Sequence, residues 1–367
     1  MTGYRVDRDI TRASTLEARF YRDPGAWEAA RDRVFARSWQ WLGGLADVRE
    51  PGSLAPRELL PGLLDEPLLL SRDSEGTLRL LSNVCTHRGN ILVKAPCRAN
   101  EIRCGYHSRR FGLDGRFTFM PEFKEAKDFP AVSDNLPNVP FGEWAGHAFA
   151  SLDPAAPLAD FLGAVRERLD WLPVAQFRSA PERSRDFEID AHWALYVENY
   201  LEGFHIPFVH AGLNEVVEYS SYASELQRYS NLQLALAKPG EPAFEPPPAS
   251  PDHGKRVAAY YFWVFPNLML NFYPWGLSVN LVQPGGIGHT KVAFRSYVWD
   301  ETKVDLGAGG ALDRVEAEDE AVVMAVQRGV RSRLYSRGRY SPSREVGVHH
   351  FHRLLCEFLE GPSGPRG

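Results

Sequence analysis

The sequence lacks the features that mark exported, membrane-spanning or nucleic-acid-binding proteins. No stretch of its 367 residues approaches the roughly 18 consecutive apolar residues of a membrane span. Its start, Met1-Thr2-Gly3-Tyr4-Arg5, has no apolar signal core, and its formal net charge of -5 leaves no basic stripe for nucleic acid. These absences predict a cytoplasmic protein that binds neither a membrane nor nucleic acid.

Cysteine is also scarce, with only four residues, at positions 85, 97, 104 and 356. Two of them belong to the motif described next, so no disulfide framework remains, and this favours a reducing compartment. A chain of this length that is 44% hydrophobic can bury two cores. We therefore expect more than one domain.

Two short loops each carry one cysteine and one histidine. They read Cys85-Thr86-His87-Arg88-Gly89 and Cys104-Gly105-Tyr106-His107. Two thiolates and two imidazoles could close a tetrahedral zinc site. They could also hold a [2Fe–2S] cluster, with the cysteines on one iron and the histidines on the other. Because each loop brings one ligand of each type, the pattern favours the cluster; a chance register of reduced cysteines and surface histidines is the third interpretation.

The spacing of apolar residues and turns along the chain predicts three parts. Residues 1–40 have apolar positions at helical spacing and are predicted to form a helical N-terminal arm that packs on the third part of the chain. Residues 41–155 alternate short β-like runs with turns and are predicted to be a small all-β domain around the two loops. Residues 156–367 form the third part, after a Pro-Ala-Ala-Pro boundary.

The third part contains a polar constellation that begins Asn199-Tyr200-Leu201-Glu202-Gly203-Phe204-His205 and ends at His210. Asn199, Glu202 and His205 are three residues apart and would share one side of a helix. On a regular helix His210 would lie about 140° away from His205. Pro207 is expected to break or widen the helix, which could bring both imidazoles to one point. A purely structural histidine pair is the alternative.

Further along, Leu312–Leu334 is predicted to be a helix with Asp319 in the middle of an apolar stripe. The positions of that stripe are Leu312, Val315, Val322, Val326 and Val330. A carboxylate there is costly unless it is paired or binds a metal, so a capping or salt-bridged Asp319 is the alternative. Glu316, Glu318 and Glu320 lie off the stripe and are expected to be solvated. Two histidines and one carboxylate make the facial triad of non-haem Fe(II), which leaves positions for O₂ and substrate.

Together these motifs resemble the alpha (oxygenase) component of Rieske non-haem iron oxygenases, nearest to the choline and carnitine monooxygenase branch. The resemblance implies an α+β fold, in which a small all-β Rieske domain precedes a helix-grip (START/SRPBCC-like) catalytic domain with a large antiparallel sheet. The implied cluster ligands are Cys85, His87, Cys104 and His107, and the implied ligands of a mononuclear Fe(II) are His205, His210 and Asp319.

The resemblance also implies an assembly and an electron supply. The expected oligomer is a homotrimer, and the expected electrons come from NAD(P)H through a separate reductase or ferredoxin. Glu202 falls at the family's bridging carboxylate, which would hydrogen-bond His205 and reach His107 of a neighbouring subunit. Asn199 would either hydrogen-bond near the iron or cap a turn.

The chain departs from the family pattern at two places. Many ring-dihydroxylating members have aspartate where this chain has Glu202, which favours monooxygenation. The sequence Ser108-Arg109-Arg110 replaces the Gly-Trp of many members. Two arginines there would favour docking of an acidic electron donor, unless they only form a solvated loop.

The substrate is expected to bind along an aromatic-rich strand pair, Tyr260–Trp275, that turns at Pro266-Asn267. Its aromatic side chains could box a quaternary ammonium through cation–π attraction, or stack on an aromatic acid. The candidate substrate residues are Phe204, Phe265, Tyr273 and Trp275. The predicted reaction is hydroxylation or N-demethylation of a small organic molecule such as a quaternary amine. The alternatives are a ring-hydroxylating dioxygenase of an aromatic acid, a Rieske electron carrier and a zinc-stabilised binding module.

Overall fold

The computed structural model describes residues 3–310 and 312–361, and the chain divides into two compact units. One unit is Trp39–Ala155, and the other joins the first 38 residues to the chain from Ala156 onwards. No helix in the described ranges is both long and apolar enough to cross a membrane.

The unit Trp39–Ala155 is built from short antiparallel strands. These are β1 (Gln40–Gly44), β2 (Ser53–Leu59), β3 (Glu66–Arg72), β4 (Leu78–Ser82), β5 (Cys97–Arg98), β6 (Ile102–Arg103), β7 (Arg110–Phe111), β8 (Phe117–Phe119), β9 (Phe141–Trp144) and β10 (His147–Ala150). They pair in the orders β1-β10-β9, β4-β3-β2-β5 and β6-β7-β8. A hairpin follows the second ligand loop, and Gly115 takes a φ of 84° in the turn between β7 and β8.

Strand β3 contributes to both cores of this unit. Leu68 and Leu70 pack into one apolar cluster, whereas Leu69 packs into a second cluster that contains Cys85 and Cys104. Successive side chains on a strand point to opposite faces, so an unbroken leucine run is buried on both sides. The second core therefore anchors the two cysteine loops to the sheet.

The other unit is mixed. Its helices are α1 (Pro24–Ala30), α2 (Leu158–Leu169), α3 (Trp193–Tyr200), α4 (Ile206–Val209), α5 (Ala211–Val216), α6 (Leu312–Gly329) and α7 (Val346–Glu360), with a π-helical turn over Arg31–Phe35. Its strands are β11 (Arg178–Ser179), β12 (Arg185–Ile189), β13 (Ala223–Leu226), β14 (Ser230–Leu236), β15 (Val257–Val264), β16 (Leu268–Tyr273), β17 (Gly276–Gly286) and β18 (His289–Val298). All eight strands join one antiparallel sheet, ordered β11-β18-β17-β16-β15-β14-β13, with β12 also paired to β18.

The N-terminal segment and the C-terminal helix both pack on α3. The hydroxyl of Tyr21 donates to Glu198 Oε1 at 2.8 Å, and His352 on α7 lies 3.1 Å from the same oxygen. The rings of Phe35 and Trp193 meet edge to face with centroids 4.8 Å apart. Helix α3 is thus held from two sides.

The chain breaks after α3, earlier than the break expected at Pro207, so Glu202 and His205 do not share a helix with Asn199. Helix α3 ends at Tyr200, and His205 becomes the N-cap residue of the short helix α4, which has Pro207 in its first turn. Proline fits this position because the first turn of a helix leaves its N–H groups unpaired. His210 then separates α4 from α5. Because His210 leaves the helical conformation, with φ −107° and ψ 74°, two histidines five residues apart can face one point.

The buried face of helix α6 differs from the predicted apolar stripe. Its buried face carries Glu316, Val323 and Gln327, whereas Val326 is 43% exposed. The apolar residues of this helix do not alone mark the buried face, because two of the buried positions are polar and form hydrogen bonds with α3 and its N-cap residue. The backbone N–H of His192 donates to Gln327 Oε1 at 2.8 Å.

Candidate metal centres and substrate cavity

Three side chains on different elements converge on one point. Among the described residues, His205, His210 and Asp319 form a group whose possible ligand atoms all lie within 4.8 Å of one another. The two Nε2 atoms are 3.1 Å apart, and Asp319 Oδ1 is 3.0 Å from Nε2 of His210 and 3.5 Å from Nε2 of His205. Two imidazole nitrogens and a carboxylate facing each other so closely fit a divalent cation, and this donor set is the facial triad.

Two further carboxylates hold the imidazoles. Glu202 Oε1 lies 2.6 Å from His205 Nδ1, and Glu318 Oε2 lies 2.8 Å from His210 Nδ1. A carboxylate accepts the Nδ1 proton and so leaves Nε2 with a free lone pair. Both free lone pairs belong to the nitrogens that face each other, which is the tautomer that metal binding requires.

The position of Asp319 is set by Asn199, whose Nδ2 donates to Asp319 Oδ1 at 2.6 Å. Asn199 was expected either near the iron or in a turn cap, and in the structure it contacts the carboxylate of Asp319. Glu318 was expected to be solvated, and its hydrogen bond with His210 overturns that expectation. In the sequence, only the position of Glu318 next to Asp319 could have indicated that it contacts His210.

A cavity opens beside the converging ligands. Its wall includes the aromatic residues Tyr196, Tyr200, Tyr222, Tyr261, Tyr273 and Phe294, with the apolar residues Ile206, Leu213, Val217, Leu312 and Val315. Its polar lining comprises Asn199, Glu202, Gln233, Asn271, Asn280 and Glu316, together with the three converging side chains. The hydroxyl of Tyr200 donates a hydrogen bond to Asn271 Oδ1 at 2.6 Å. Much of the wall is therefore aromatic, and Tyr200 is held in place by a hydrogen bond within it.

Of the four substrate residues suggested by the sequence, only Tyr273 lines this cavity. Phe204 is 42% exposed, because it lies in the break between α3 and α4. Phe265 is fully buried at the turn after β15 and packs on Phe358 at 4.6 Å between ring centroids. Trp275 stacks behind Tyr273 with centroids 5.4 Å apart. These three predictions are corrected, because aromatic type alone does not say which face of the sheet a residue occupies.

The two loops of the smaller unit fit a cluster. Cys85 and Cys104 are buried, and the rings of His87 and His107 lie 4.9 Å apart. The Nδ1 atom of His107 is shielded from solvent and has no hydrogen-bond partner within the described chain. An orphaned imidazole nitrogen beside two buried thiols suits a group that takes nitrogen and sulfur ligands.

The sulfur of Cys104 is also approached by two N–H groups. The backbone N of Tyr106 lies 3.4 Å from Cys104 Sγ, and Asn90 Nδ2 lies 3.6 Å from it. Such hydrogen bonds to the sulfur ligands are one means by which a protein sets the potential of an iron–sulfur cluster.

Arg109 is not part of a docking surface. It is 1% exposed, and its NH2 group lies 2.5 Å from Asp134 Oδ1. Its guanidinium lies 4.8 Å from the ring centroid of Phe117 and 5.5 Å from that of Phe129. Arg110 is partly exposed and lies 3.6 Å from Glu101. The expected pair of surface arginines is therefore reduced to one.

Two protein-family models match the chain and show which family it belongs to. A family model described as "Ring hydroxylating alpha subunit (catalytic domain)" matches residues 170–361, and one described as "Rieske [2Fe-2S] domain" matches residues 38–130. The chain belongs to the ring-hydroxylating alpha-subunit family. It is a Rieske oxygenase that uses a [2Fe–2S] cluster and a mononuclear iron. The two family matches confirm the family, fold class, enzyme class and cofactors predicted from the sequence.

Relatives of this ring-hydroxylating alpha-subunit chain include two named monooxygenases. The carnitine monooxygenase oxygenase subunit of Escherichia coli (strain K12) is 29% identical over 369 residues, covering 95% of this chain and 94% of the relative. The chloroplastic choline monooxygenase of Arabidopsis thaliana is 29% identical over 373 residues, covering 96% and 84%. A crystal structure of the quaternary ammonium Rieske monooxygenase CntA with an inhibitor has a TM-score of 0.77 at 25% identity, covering 94% of this chain and 95% of that one.

Proposed function

We propose that this oxygenase hydroxylates a C–H bond next to the nitrogen of a small quaternary amine. The observation that carries the proposal is the convergence of His205, His210 and Asp319 on the edge of a tyrosine-rich cavity. Carnitine and choline, the substrates named for two relatives, are both trimethylammonium compounds. The reaction would consume one C–H bond, O₂, two electrons and two protons, and yield one C–OH group and water.

The tyrosines favour a cation over an aromatic acid. Tyr200, Tyr222, Tyr261 and Tyr273 line the cavity, and a quaternary ammonium is attracted to the faces of such rings by cation–π interaction. An aromatic acid would need a basic partner for its carboxylate, and none of the cavity residues in the described ranges is lysine or arginine. The dioxygenase alternative is therefore disfavoured.

We assign His205, His210 and Asp319 as the iron ligands, and Cys85, His87, Cys104 and His107 as the cluster ligands. When bound, the iron supplies oxygen activation. Glu202 and Glu318 keep protons on the Nδ1 atoms of the two histidines, and Asn199 orients the carboxylate. The aromatic wall excludes water from the reacting carbon. If the oxidised carbon is an N-methyl group, the carbinolamine product releases formaldehyde.

We propose that the chain has three parts: an N-terminal arm over residues 1–40, a Rieske domain over 41–155 and a catalytic domain over 156–367. The two compact units, with the N-terminal 38 residues in the same unit as the chain from Ala156 onwards, support this division.

We also propose that the chain forms a homotrimer and receives electrons from a separate reductase or ferredoxin. Glu202 would then connect His205 to His107 of the partner subunit. Two exposed aromatic residues near Glu202, Phe204 at 42% and Phe208 at 80%, support an interface there, because such a pair on a surface often marks a contact site. Sedimentation analysis tests the oligomer: a monomer at micromolar concentration would contradict the proposal.

Isotope-labelled oxygen tests the reaction. The chemically reduced, iron-loaded protein is mixed with choline or L-carnitine and ¹⁸O₂ in a single turnover, so that no reductase is needed. We expect one labelled oxygen in the hydroxylated product, or formaldehyde release where an N-methyl carbon is oxidised. Formation of a doubly labelled cis-diol from an aromatic acid, without turnover of any amine, would contradict the proposal.

A further inference from the structure

One buried acid in the cavity is not used by the metal site. Glu316 on α6 is 3% exposed, and its Oε2 accepts a hydrogen bond from the hydroxyl of Tyr196 at 2.6 Å. Its other oxygen, Oε1, is shielded from solvent and has no hydrogen-bond partner in the described parts of the chain. Because Glu316 lines the same cavity as His205 and Asp319, this carboxyl group lies on the wall that a bound substrate would contact.

Among the described side chains, those whose charge acts on Glu316 are acidic. The charged groups that act on it are Asp319 and Glu320, both acidic, and its one hydrogen-bond donor is neutral Tyr196. Burial, with these two acidic neighbours adding to the effect, raises the pKa of Glu316 to about 8. A carboxylate without a counter-ion is costly in such a place, and a cation that entered the cavity would relieve that cost.

Basic side chains are found on the other side of the cavity wall. Arg183 and Arg185 line a second cavity, which shares Phe294 and Leu312 with the first. Each arginine is paired there with an aspartate, Arg183 with Asp305 and Arg185 with Asp313 at 3.9 Å. These pairs keep the guanidinium groups engaged outside the substrate cavity.

We propose that Glu316 is the anionic partner of the substrate's ammonium group, so that the cavity selects a net cation of the choline type over a zwitterion of the carnitine type. This inference rests on the proposed function, because it assigns the substrate class of the same cavity. Attraction between the charges does not require an N–H group, and in a buried site it is much stronger than in water. A substrate carboxylate would find no lysine or arginine among the lining residues in the described ranges.

The test uses two ligands of the same shape. Choline and 3,3-dimethyl-1-butanol differ only in that carbon replaces the charged nitrogen, and their binding to the loaded enzyme is measured by calorimetry. We expect Glu316→Gln to weaken choline binding at least tenfold and to leave the neutral isostere within twofold. Glu316→Asp, which keeps the charge, should retain most of the preference for choline. Glu320→Gln removes a charge from the same helix outside the cavity lining and serves as the matched control.

Two results would overturn the inference. One is a Glu316→Gln variant, with normal iron and cluster content, that binds choline as tightly as the wild type or as the Glu320→Gln control. The other is wild-type protein that binds L-carnitine more tightly than choline. In both cases the proposed amine oxidation stands if single turnover still yields a singly labelled product, so the two proposals fail separately. Binding of no amine cation at all would overturn both.

Discussion

Replacing Glu318 tests whether the hydrogen bond to His210 matters for iron. The bond from His210 Nδ1 to Glu318 Oε2 is 2.8 Å long, and a carboxylate partner makes it charge-assisted. Loss of such a partner to a metal-binding histidine costs about 10-fold to 100-fold in metal affinity, or roughly 1.4 to 2.7 kcal/mol. The Glu318 side chain is 26% exposed, so water can partly replace it. We expect Glu318→Ala to weaken Fe(II) binding by about 10-fold to 30-fold.

The matched variants separate the hydrogen bond from the charge. Glu318→Gln keeps an acceptor for the Nδ1 proton and should lose less affinity than Glu318→Ala. Arg314→Ala removes only the 69% exposed partner of Glu318, and exposed ion pairs are worth about 0 to 1 kcal/mol, so its effect should be small. Affinity is measured anaerobically by competition with a chelator of known strength. Iron binding by Glu318→Ala within twofold of the wild type would refute the reasoning.

Four further predictions concern the cluster ligand Cys104, the buried residues Arg109 and His192, and Gly203 beside the cavity wall. Cys104→Ser should abolish the visible absorption and the paramagnetic signal of the reduced cluster while iron still binds the other unit; a retained signal would contradict the ligand assignment. Arg109→Met should leave Asp134 without its buried partner and lower the free energy of unfolding by about 2 kcal/mol, measured by chemical denaturation; no loss would mean that the pair is not stabilising. Gly203→Ala should weaken substrate binding, because a Cβ there would stand 2.6 Å from the ring of Tyr222 in the cavity wall; unchanged affinity would contradict this. Burial lowers the pKa of His192 to about 3, so its stabilising effect is complete above pH 6.5 and is lost as the pH falls from there towards 3, costing about 2 kcal/mol at pH 5; His192→Asn, which can still cap α3, should flatten that part of a pH–stability curve.

The ligand types could be predicted from the sequence because each motif is local. The cluster loops and the Asn199 to His210 segment carry their ligands within a few residues, so spacing alone restricts the chemistry. It was also predictable that no single regular helix would run from Asn199 to His210, because proline cannot continue a regular helix and fits the start of a new one, although α3 already ends at Tyr200. Even Asp319, more than a hundred residues later, was suggested by the cost of placing a carboxylate on a helix stripe.

The wall of the cavity could not be predicted in the same way. Phe204, Phe265 and Trp275 have the same aromatic character as Tyr273, but only Tyr273 reaches the cavity, because strand register and the position of the turn decide which face each ring occupies. Arg109 looked like a surface residue because its charge says nothing of the phenylalanine rings that cover it.

The sequence by itself determined which ligand types each motif offers, and so restricted the metals and the chemistry that this protein can support, since ligand identity and local spacing lie within short segments. Only the tertiary structure decided what surrounds them. The packing of α6 against α3 buries Glu316 against Tyr196 and brings Glu318 to His210. A carboxylate on a helix surface is solvated until another element covers it, so its role depends on a contact between segments over a hundred residues apart in the chain.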